Sequence, residues 1–526
     1  NGPADPSRIY DYVYADGKSE NADFVLANMS DDSYLCLGSS EFYISKDRVS
    51  MCPQAVFGEN VTGVDMTFVG QGYDQSLWQA IAAGAYGGRV KNKKVMIVVS
   101  PQWFFKGNGD QDKFESKFSY SLYRAFAQNP SISDKTKAYV RRRCEELGVE
   151  TVAAATSAKH LLRLGYERCL RETLGWLEER MLPAQDATVA RMMNENLFFS
   201  FFFASGRTLD TEELCLMTSR SPRYYVSAAY WDRDSLLWSF PAIVLTDAAY
   251  AREILMHVFT RQIRNVGQHS RYIDGTLLEP GFELDELCAP VLALEGYLVR
   301  TGDPALLQEP CVKSGLFRIL SVLETKRHPE IELYETFLQP TDDEIVYPYL
   351  TYDNALVWRV LLLLSEWLER PDLARRAGGV KAAVYRYCVR EGQFVWSTDL
   401  EGHYDIYDEP PGSLQLLPHY GFCAMDDPVW QSTVRAIRSE AYPLSFAHRP
   451  IAEIGCRHAP HPWVLSICNS LLCGHADTAL AHLARTRMDN GLACESVNED
   501  TGECETGAAF ATCAGFLAYA LWSAAR

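Results

Sequence analysis

The spacing of apolar and polar residues changes along the chain. In the first 150 residues, short apolar runs at Tyr34–Leu37, Met66–Val69 and Lys94–Ser100 predict buried β-strands. Between the last two runs, Gln75–Ala83 repeats its apolar residues at the interval of a helix. Because parallel strands are joined by such helical crossovers, this order predicts a partial α/β segment with a parallel, helix-covered sheet.

From about residue 151 onward, the pattern is that of one helix after another. Gly302 predicts a helix end, Asp303 a cap for the next helix, and Pro304 its first position. Asp210–Glu213 has the form of a capping box at another helix start. These signals predict a mainly α-helical second segment.

Two further stretches, Ala355–Glu369 and Ala508–Trp522, have the helical spacing of apolar residues. Twelve helices of about a dozen residues, with their loops, would occupy most of residues 151–526. We therefore predict an (α/α)6 helical toroid over residues 151–526, preceded by a separate domain over residues 1–150. A different helical array is the alternative.

The basic residues change at the same place. Residues 1–150 contain 10 Lys and 7 Arg, whereas residues 151–526 contain 4 Lys and 29 Arg. Both residue types solvate a protein surface, so surface chemistry does not explain the change. It suggests two segments with different histories, fused near Glu145–Ala155.

The composition of the whole chain argues against several functions. The net charge of −18 argues against a nucleic-acid partner, because phosphate binding needs a basic face. The best candidate for a membrane span, Leu197–Ala204, has about half the length required, and no signal-peptide pattern follows Asn1. Fifteen cysteines without Cys-x-x-Cys spacing indicate reduced thiols, and hence a cytoplasmic protein, rather than a zinc site or disulfide framework.

Four clusters in the second segment place acids among aromatic residues and glycine rather than among lysines. Sugar sites combine aromatic faces with carboxylates, and glycoside hydrolysis needs two carboxyl groups on opposite sides of the scissile bond. Acids at helix starts are also ordinary caps, so a single cluster would be a weak signal. The clusters are Tyr230–Ser235, Glu279–Cys288, Tyr407–Ser413 and Gly491–Asn498.

These clusters, in this order, resemble glycoside hydrolase family 125 and related (α/α)6 exo-glycosidases over about residues 190–526. Phe282–Pro290 is similar to the family segment whose Asp is the general acid, and Cys494–Ser496 to the one whose Glu is the base. The resemblance implies that Asp285 is the acid and Glu495 the base, in an inverting, metal-free mechanism without a cofactor. It also implies contacts to the carbohydrate substrate from Trp231, Arg233, Asp234, Glu283, Asp408, Glu409, His461 and Trp463.

The sequence departs from the family pattern beside both catalytic candidates. Cys494 stands where the family has His, which would alter the hydrogen bonding of the base. Glu286 stands where the family has Ser, which would place a second carboxylate beside the acid and raise the pKa of one of the two. The family acts as exo-α-mannosidase, and an α-glucosidase remains open for this sequence.

The first segment carries a different motif. Leu37–Glu41 follows a predicted strand, and Gly70–Leu77 and Val99–Phe104 follow in order. These runs resemble the DltD family of D-alanyl transfer proteins of bacterial teichoic-acid modification, over about residues 25–150. The resemblance implies that Ser40 is the nucleophile of an acyltransferase or esterase, with Gly72 and Gln102 bordering the oxyanion site, at the outer face of a cell membrane.

A serine nucleophile needs a base within hydrogen-bond reach, yet the first histidine of the chain is His160. We therefore expect the resemblance to DltD to end near residue 150 and the serine segment to be an inactive remnant. An exo-glycosidase in the second segment is the main hypothesis. The alternatives are the Ser40 acyltransferase and a helical module that binds sugars without cleaving them.

Overall fold

The computed structural model describes residues 19, 22–42, 65–100, 113–114, 117–149, 164–208, 213–226 and 228–526. The chain divides into two compact units. The first comprises Asn1–Thr173 and Arg207–Glu213, and the second comprises Leu174–Gly206 and Leu214–Arg526. This structural division lies after the change in composition near residue 150.

The described part of the first unit contains a three-stranded parallel sheet with helices. Its strands are β1 (Tyr34–Leu37), β2 (Met66–Val69) and β3 (Val95–Ile97), in the order β2-β1-β3. Its helices are α1 (Ala22–Asn28), α2 (Ser76–Tyr86), α3 (Tyr120–Gln128) and α4 (Asp134–Glu146), and α5 (Tyr166–Arg180) contains the point of division. The parallel order and the helix between β2 and β3 confirm the prediction from the sequence.

The core of this unit forms between the sheet and α2. Trp78, Ile81 and Ala82 lie on one face of α2 at helical spacing and are buried in the same cluster as Leu35 and Leu37 of β1. The prediction of a buried third strand is wrong, because Val95, Met96 and Ile97 of β3 are exposed. In the described residues β3 pairs only with β1, so it lies at the edge of the sheet.

The second unit consists mainly of helices. They are α6 (Ala187–Phe203), α7 (Phe240–Thr246), α8 (Ala248–Thr260), α9 (Leu284–Thr301), α10 (Pro310–Glu324), α11 (Thr351–Trp367), α12 (Pro371–Tyr387), α13 (Pro428–Ile437), α14 (Val464–Leu472), α15 (Ala476–Leu483) and α16 (Ala511–Ala524). Short two- and three-stranded sheets join them, made by β4 (Ser205–Arg207), β5 (Leu214–Leu216), β6 (Gln268–Arg271), β7 (Leu277–Phe282), β8 (Tyr349–Leu350), β9 (Val389–Arg390), β10 (Gln393–Phe394), β11 (Ser397–Thr398), β12 (Tyr404–Asp405), β13 (Ser496–Val497) and β14 (Cys504–Thr506).

The helices of this unit form an (α/α)6 toroid, which confirms the predicted fold class. An inner ring of α7, α9, α11, α14 and α16 is buried on most sides, and the outer helices α8, α10, α12, α15 and α6 pack against them in that order. Two 3₁₀ turns, Pro410–Gly412 and Leu414–Leu416, take the remaining inner position beside α13. The packing of α6 against α16 closes the ring.

Local sequence signals set the ends of the inner helices. Gly302 has the left-handed φ of 65° and ends α9, as predicted, because a side chain would disfavour this conformation. Asp303 accepts a hydrogen bond from the amide of Ala305 (3.0 Å) and caps the next element, which is a 3₁₀ turn, Pro304–Gln308, rather than a full helix. The predicted capping box at Asp210–Glu213 lies largely outside the described residues.

A cavity of about 560 Å³ opens among the inner helices toward their carboxyl-terminal ends. Its walls include Leu292 and Val299 of α9, Arg359 of α11 and Trp522 of α16. The candidate acid Asp285 lies in the first turn of α9, at the opposite end of the same helices. The cavity is therefore separate from the carboxylate cluster.

Two further findings concern membrane-spanning helices and the cysteine thiols. None of the helices in the described part of the chain combines the length and apolar composition needed to cross a bilayer. No disulfide joins any two of the fourteen described cysteines, and most are buried, so their packing is that of small apolar side chains.

Candidate active site

A buried arginine organises the carboxylates at the amino-terminal ends of the inner helices. Arg233 begins a π-helical segment, Arg233–Ser239, and is 1% exposed. Its guanidinium donates to Glu283 (Nη1–Oε2, 2.6 Å), to Asp285 (Nη1–Oδ2, 3.1 Å) and to Asp342. Three residues of the predicted site, Arg233, Glu283 and Asp285, thus meet in one cluster, and Asp342 joins them.

The candidate acid Asp285 is the second residue of α9 and is 1% exposed. Its Oδ1 accepts a hydrogen bond from the amide of Glu286 (2.8 Å), and its Oδ2 faces Arg233. A helix amino terminus and an adjacent guanidinium both stabilise a carboxylate. The position of Asp285 is therefore fixed on two sides by groups that the fold supplies.

Glu286 has a structural role that the sequence did not reveal. Its carboxylate accepts hydrogen bonds from the amides of Asp232 and Arg233, so it caps the π-helical segment from outside. Arg271 forms an ion pair with Asp232, one of the two residues whose amides donate to Glu286. Burial, with the neighbouring Glu283, Asp232 and Asp285 charges, raises the pKa of Glu286 well above its usual range, despite the opposing Arg233 charge. The extra carboxylate points toward the backbone of Asp232 and Arg233.

Two other predicted sugar-binding residues lie in the same cluster. Asp234 is buried, accepts a hydrogen bond from the Thr512 hydroxyl (3.4 Å) and has its pKa raised by burial to about 8. Trp231 packs edge-to-face on His269 at 5.6 Å between ring centroids, and its buried indole N–H has no hydrogen-bond partner among the residues that the structure describes. An unsatisfied buried donor is a group that a ligand hydroxyl can bind.

The candidate base Glu495 lies on a different segment, directly before β13, and is 4% exposed. Its backbone is held from both sides, since its carbonyl accepts from the first amide of α14, at Val464 (3.1 Å), and its amide donates to Thr506 (3.2 Å). The Tyr225 hydroxyl donates to Oε1 (3.4 Å). Burial raises the pKa of Glu495, while Thr506, His458 and Tyr225 act in the opposite direction.

A single loop reaches both candidates. Asp342, which has a left-handed φ of 69°, pairs with Arg233 on the acid side, and its negative charge raises the pKa of Glu495 on the other side. Glu409 anchors this loop, because its carboxylate accepts from both the amide and the hydroxyl of Thr341 (2.9 Å each). Asp342 therefore contacts the same guanidinium that holds Asp285, and it acts electrostatically on Glu495.

The other side chains that were predicted to contact the sugar form hydrogen bonds within the protein. Asp408 accepts from the hydroxyl of Ser413 and the amide of Leu414 (2.7 Å each), so its geometry favours a loop-capping role over a sugar contact. His461 pairs with Glu499 (3.0 Å), and the Trp463 indole donates to the Ala459 carbonyl (3.0 Å).

His458, which the sequence analysis did not select, lies near Glu495 and pairs with Asp343 (3.3 Å). Cys494, which stands where the family has His, also forms its hydrogen bond within the protein. Its buried thiol donates to the Ser496 carbonyl (3.3 Å), two residues further along the same segment.

A group of possible metal ligands overlaps the arginine cluster. Ligand atoms of His269, Glu283 and Asp342 all lie within 4.8 Å of one another. The guanidinium of Arg233 contacts both carboxylates and already supplies positive charge at this point. Contacts within the protein therefore already occupy these groups. Arg233 donates to Glu283 and Asp342, and His269 Nδ1 lies 2.6 Å from Glu283.

The second unit is similar to known glycosidases in sequence and in fold. Residues 327–521 match the family model of metal-independent alpha-mannosidases (GH125). A solved metal-independent α-mannosidase of Streptococcus pneumoniae, in a non-productive complex with α-1,6-mannobiose, is 18% identical, with 68% of this chain and 99% of that chain covered and a TM-score of 0.58. A bacterial glucoamylase complexed with acarbose is 14% identical over 74% of this chain and 61% of its own, with a TM-score of 0.50.

At these identities the two structural matches show the toroid fold, which the second unit shares with them. The matched residues of the GH125 family model include Asp342, Glu409 and Glu495, while Arg233 and Asp285 precede the matched stretch. The resemblance stated from the sequence is therefore supported by the family model over residues 327–521, and by fold similarity over a longer part of the chain.

Residues 13–198 match the family model of the DltD protein. DltD of Bacillus subtilis is 31% identical over 178 residues, and this chain spans 43% of the length of that relative. The expectation that the resemblance ends near residue 150 was wrong, since the match continues to residue 198. It therefore includes His160, which lies outside the described residues.

Ser40 lies in a 3₁₀ turn, Ser40–Phe42, directly after β1 and is exposed. The segment before this turn packs closely on the residue that follows β2, because a Cβ at Gly70 would lie 2.2 Å from the Gly38 carbonyl oxygen. Gly72 follows β2 and is partly exposed, whereas Gln102 lies outside the described residues. The strand-to-turn placement of Ser40 matches the prediction, and its role as nucleophile stays a prediction.

Glycine is required at one position of the candidate site. Gly507 has a φ of +60°, and a Cβ there would lie 2.5 Å from Glu495 Cβ and 2.8 Å from its Oε2. We expect Gly507→Ala to displace Glu495 and lower kcat by on the order of 10²-fold, since small misplacements of catalytic groups have effects of this size. Steady-state kinetics on an aryl glycoside measures it.

Gly302→Ala is the matched control, because Gly302 has a similar φ of +65° but nothing within 4 Å of a Cβ. This variant should lose about 1 kcal/mol of stability without a change in kcat. Equal kcat values for the two variants would contradict the requirement for space beside Glu495.

Proposed function

We propose that the second unit is an exo-acting, inverting glycosidase for α-linked hexosides, with α-mannosides as the first substrate class. The observation that carries the proposal is the pair of buried carboxyl groups, Asp285 and Glu495, on separate segments with the Asp342 loop near both. The match to the GH125 family model favours mannosides over glucosides. The fold similarity to a glucoamylase keeps α-glucosides as the second substrate to test.

In the proposed reaction, Asp285 donates a proton to the leaving glycosidic oxygen while Glu495 removes a proton from water on the opposite face of the sugar. The water oxygen then bonds to the anomeric carbon as the glycosidic bond breaks. Both side chains afterwards exchange protons with solvent, so the sum of the steps is hydrolysis. An inverting pair needs its carboxyl groups about 6.5–9.5 Å apart to leave room for the water.

Two groups in the structure suit the binding of a terminal sugar. The indole N–H of Trp231 is a buried donor without a partner in the described part of the chain, and Arg233 holds several carboxylates whose remaining acceptor sites suit sugar hydroxyls. We expect these groups to bind the non-reducing sugar. The exo-acting mode rests on this proposal.

The test uses the full chain with 4-nitrophenyl α-mannoside and α-glucoside, and with α-linked mannobiose as a natural leaving group. Proton NMR of the first product identifies its anomer. Release of β-mannose from an α-mannoside supports the proposal. Release of α-mannose would show that the anomeric configuration is retained, which contradicts an inverting mechanism. No hydrolysis of any of these compounds would favour a sugar-binding module.

A second candidate function rests on Ser40, whose exposed position after β1 and match to the DltD model suit an acyltransferase or esterase. We expect no labelling of Ser40 by a fluorophosphonate, because residues 13–198 contain a single histidine, His160, to act as its base, and the chain spans only 43% of the length of the DltD relative. Gel fluorescence of the wild-type chain against Ser40→Ala measures this. Labelling that disappears in Ser40→Ala would establish an active serine and contradict the prediction.

A further inference from the structure

Two cysteine thiols meet beside the candidate base. Cys494 directly precedes Glu495, and its thiol donates to the carbonyl of Ser496 (3.3 Å). Cys504 is the first residue of β14, and its thiol donates to the carbonyl of Thr506 (3.4 Å). Ser496 and Thr506 are opposite residues of the antiparallel β13–β14 ladder. Because the strands are antiparallel, the two thiols reach the same point of the ladder from opposite ends.

The two thiols differ in exposure and in acidity. Cys494 is buried, whereas Cys504 is partly exposed. A hydrogen bond with the Cys494 thiol lowers the pKa of Cys504, and the Arg223 charge acts in the same direction against burial and the Asp489 charge. The same hydrogen bond and then burial raise the pKa of Cys494. An accessible thiol with a lowered pKa beside a second thiol is the arrangement that reacts with peroxide and then forms a disulfide.

The cysteines elsewhere in the described part of the chain are less suited to this chemistry. Most are buried, and burial raises the pKa of the partly exposed Cys311 at the start of α10. Cys513 of α16 is a third thiol that acts on Cys494, but it is fully buried. Cys504 is therefore the thiol of this cluster that a small oxidant reaches from solvent.

We propose that Cys494 and Cys504 are a thiol pair that hydrogen peroxide oxidises to a disulfide, which lowers turnover at the glycosidase site proposed above. The Cys504 thiolate attacks one peroxide oxygen, the O–O bond breaks, and the leaving hydroxide takes up a proton to become water. The Cys494 sulfur then attacks the sulfenic acid on Cys504. An S–S bond forms, the S–O bond breaks, and the leaving hydroxide takes the Cys494 proton. The two sulfurs lose two electrons, which reduce one hydrogen peroxide to two waters.

The disulfide has a consequence for the candidate base. A disulfide needs about 2.05 Å between its sulfur atoms, so both thiols must leave the carbonyls that they contact in the reduced protein. The amide of Glu495 donates to the same Thr506 carbonyl that accepts from Cys504. Movement of the thiols therefore displaces Glu495 from its position for activating water. This consequence rests on the proposed function, whereas formation of the disulfide does not.

The first test detects the disulfide in the full chain. The protein is reduced with dithiothreitol, desalted, treated with hydrogen peroxide and blocked with N-ethylmaleimide. Mass spectrometry of a non-reduced digest should find a linked peptide pair that carries Cys494 and Cys504, and dithiothreitol should separate the two peptides. In Cys494→Ser the reaction should stop at a sulfenic acid on Cys504, which dimedone labels.

The second test measures turnover of 4-nitrophenyl α-mannoside before and after peroxide. Oxidation should lower kcat by about 10²-fold, since small displacements of a catalytic group have effects of this size, and dithiothreitol should restore it. Cys504→Ser and Cys504→Ala cannot form the bond and should keep their turnover in peroxide, and the use of both covers poor folding of either one. The matched control is Cys311→Ser, which removes another partly exposed thiol and should respond to peroxide like the wild-type chain.

Several results would overturn the proposal. They are the absence of a Cys494–Cys504 disulfide after peroxide, a disulfide from either residue to Cys513 instead, and an oxidised pair with unchanged kcat. A loss of turnover that persists in Cys504→Ser and Cys504→Ala would place the sensitive group elsewhere. Failure of the proposed function is distinguishable, because it appears as no turnover in the reduced wild-type chain, while mass spectrometry still decides whether the disulfide forms.

Discussion

Replacing Asp285 by Asn is expected to lower turnover of α-linked mannobiose by about 10²–10⁴-fold and to leave KM within a few-fold of wild type. The amide has nearly the shape of the carboxyl group but cannot donate the proton that the leaving oxygen needs. Asn also retains a carbonyl oxygen toward Arg233, so the buried cluster keeps one acceptor at that point. Steady-state kinetics with sugar release as the readout measures the effect.

The same variant with 2,4-dinitrophenyl α-mannoside is the internal control. This leaving group departs as an anion without protonation, so its turnover should fall far less than that of mannobiose. Equal losses on the two substrates would contradict the role of Asp285 as the acid. Glu495→Gln should behave differently, because the activation of water is needed for both substrates.

The second large effect is expected on stability. Arg233→Met should destabilise the second unit by about 3–5 kcal/mol, since removing one partner of a buried ion pair leaves uncompensated charge. The variant would leave Glu283 and Asp285 without their shared cation in a site that is 1% exposed or less. Urea unfolding followed by far-ultraviolet circular dichroism measures the loss.

Arg370→Met is the matched control, because Arg370 pairs with Asp372 at the surface, where solvent screening leaves an ion pair little effect on stability. At low pH the carboxyl groups become protonated, so the deficit of Arg233→Met should shrink as the pH falls. A deficit below 1 kcal/mol at pH 7 would show that the cluster does not depend on Arg233 for charge.

The sequence was most informative where structure is local. The end of α9 at Gly302, the cap at Asp303 and the strand β1 follow from short-range rules on φ, hydrogen bonding and apolar spacing. It failed for β3, because a run such as Val95–Ile97 is apolar whether a strand lies in the middle of a sheet or at its edge. Burial of a strand depends on what the rest of the chain places on it.

Part of the carboxylate cluster could be anticipated from the sequence. Arg233, Asp234, Glu283 and Asp285 come together because two short motifs carry them to adjoining helix starts. Asp342 has no aromatic residue or glycine beside it in the sequence, and only the packing of the ring brings it to Arg233. A short-range rule cannot identify a carboxyl group whose significance comes from distant neighbours.

The functions of Asp408 and Glu286 illustrate the same limit. Both stand within motifs that resemble a sugar-binding site, yet their carboxylates accept amides of the protein itself. A motif contains residues that build its shape as well as residues that bind a ligand, and the sequence does not distinguish the two. The hydrogen bonds in the structure distinguish a carboxylate that holds the backbone from one that is available to a ligand.

The contact between α6 and α16 joins the first and last helices of the toroid. Because those helices are neighbours in the ring, the order in which the helix pairs occur along the polypeptide is not essential to the packing. A circular permutant that links residue 524 to residue 187 by a short linker and opens the chain in the exposed loop at Gly402 should close the same ring. The ring can thus be treated as a cycle of helix pairs with no intrinsic starting point.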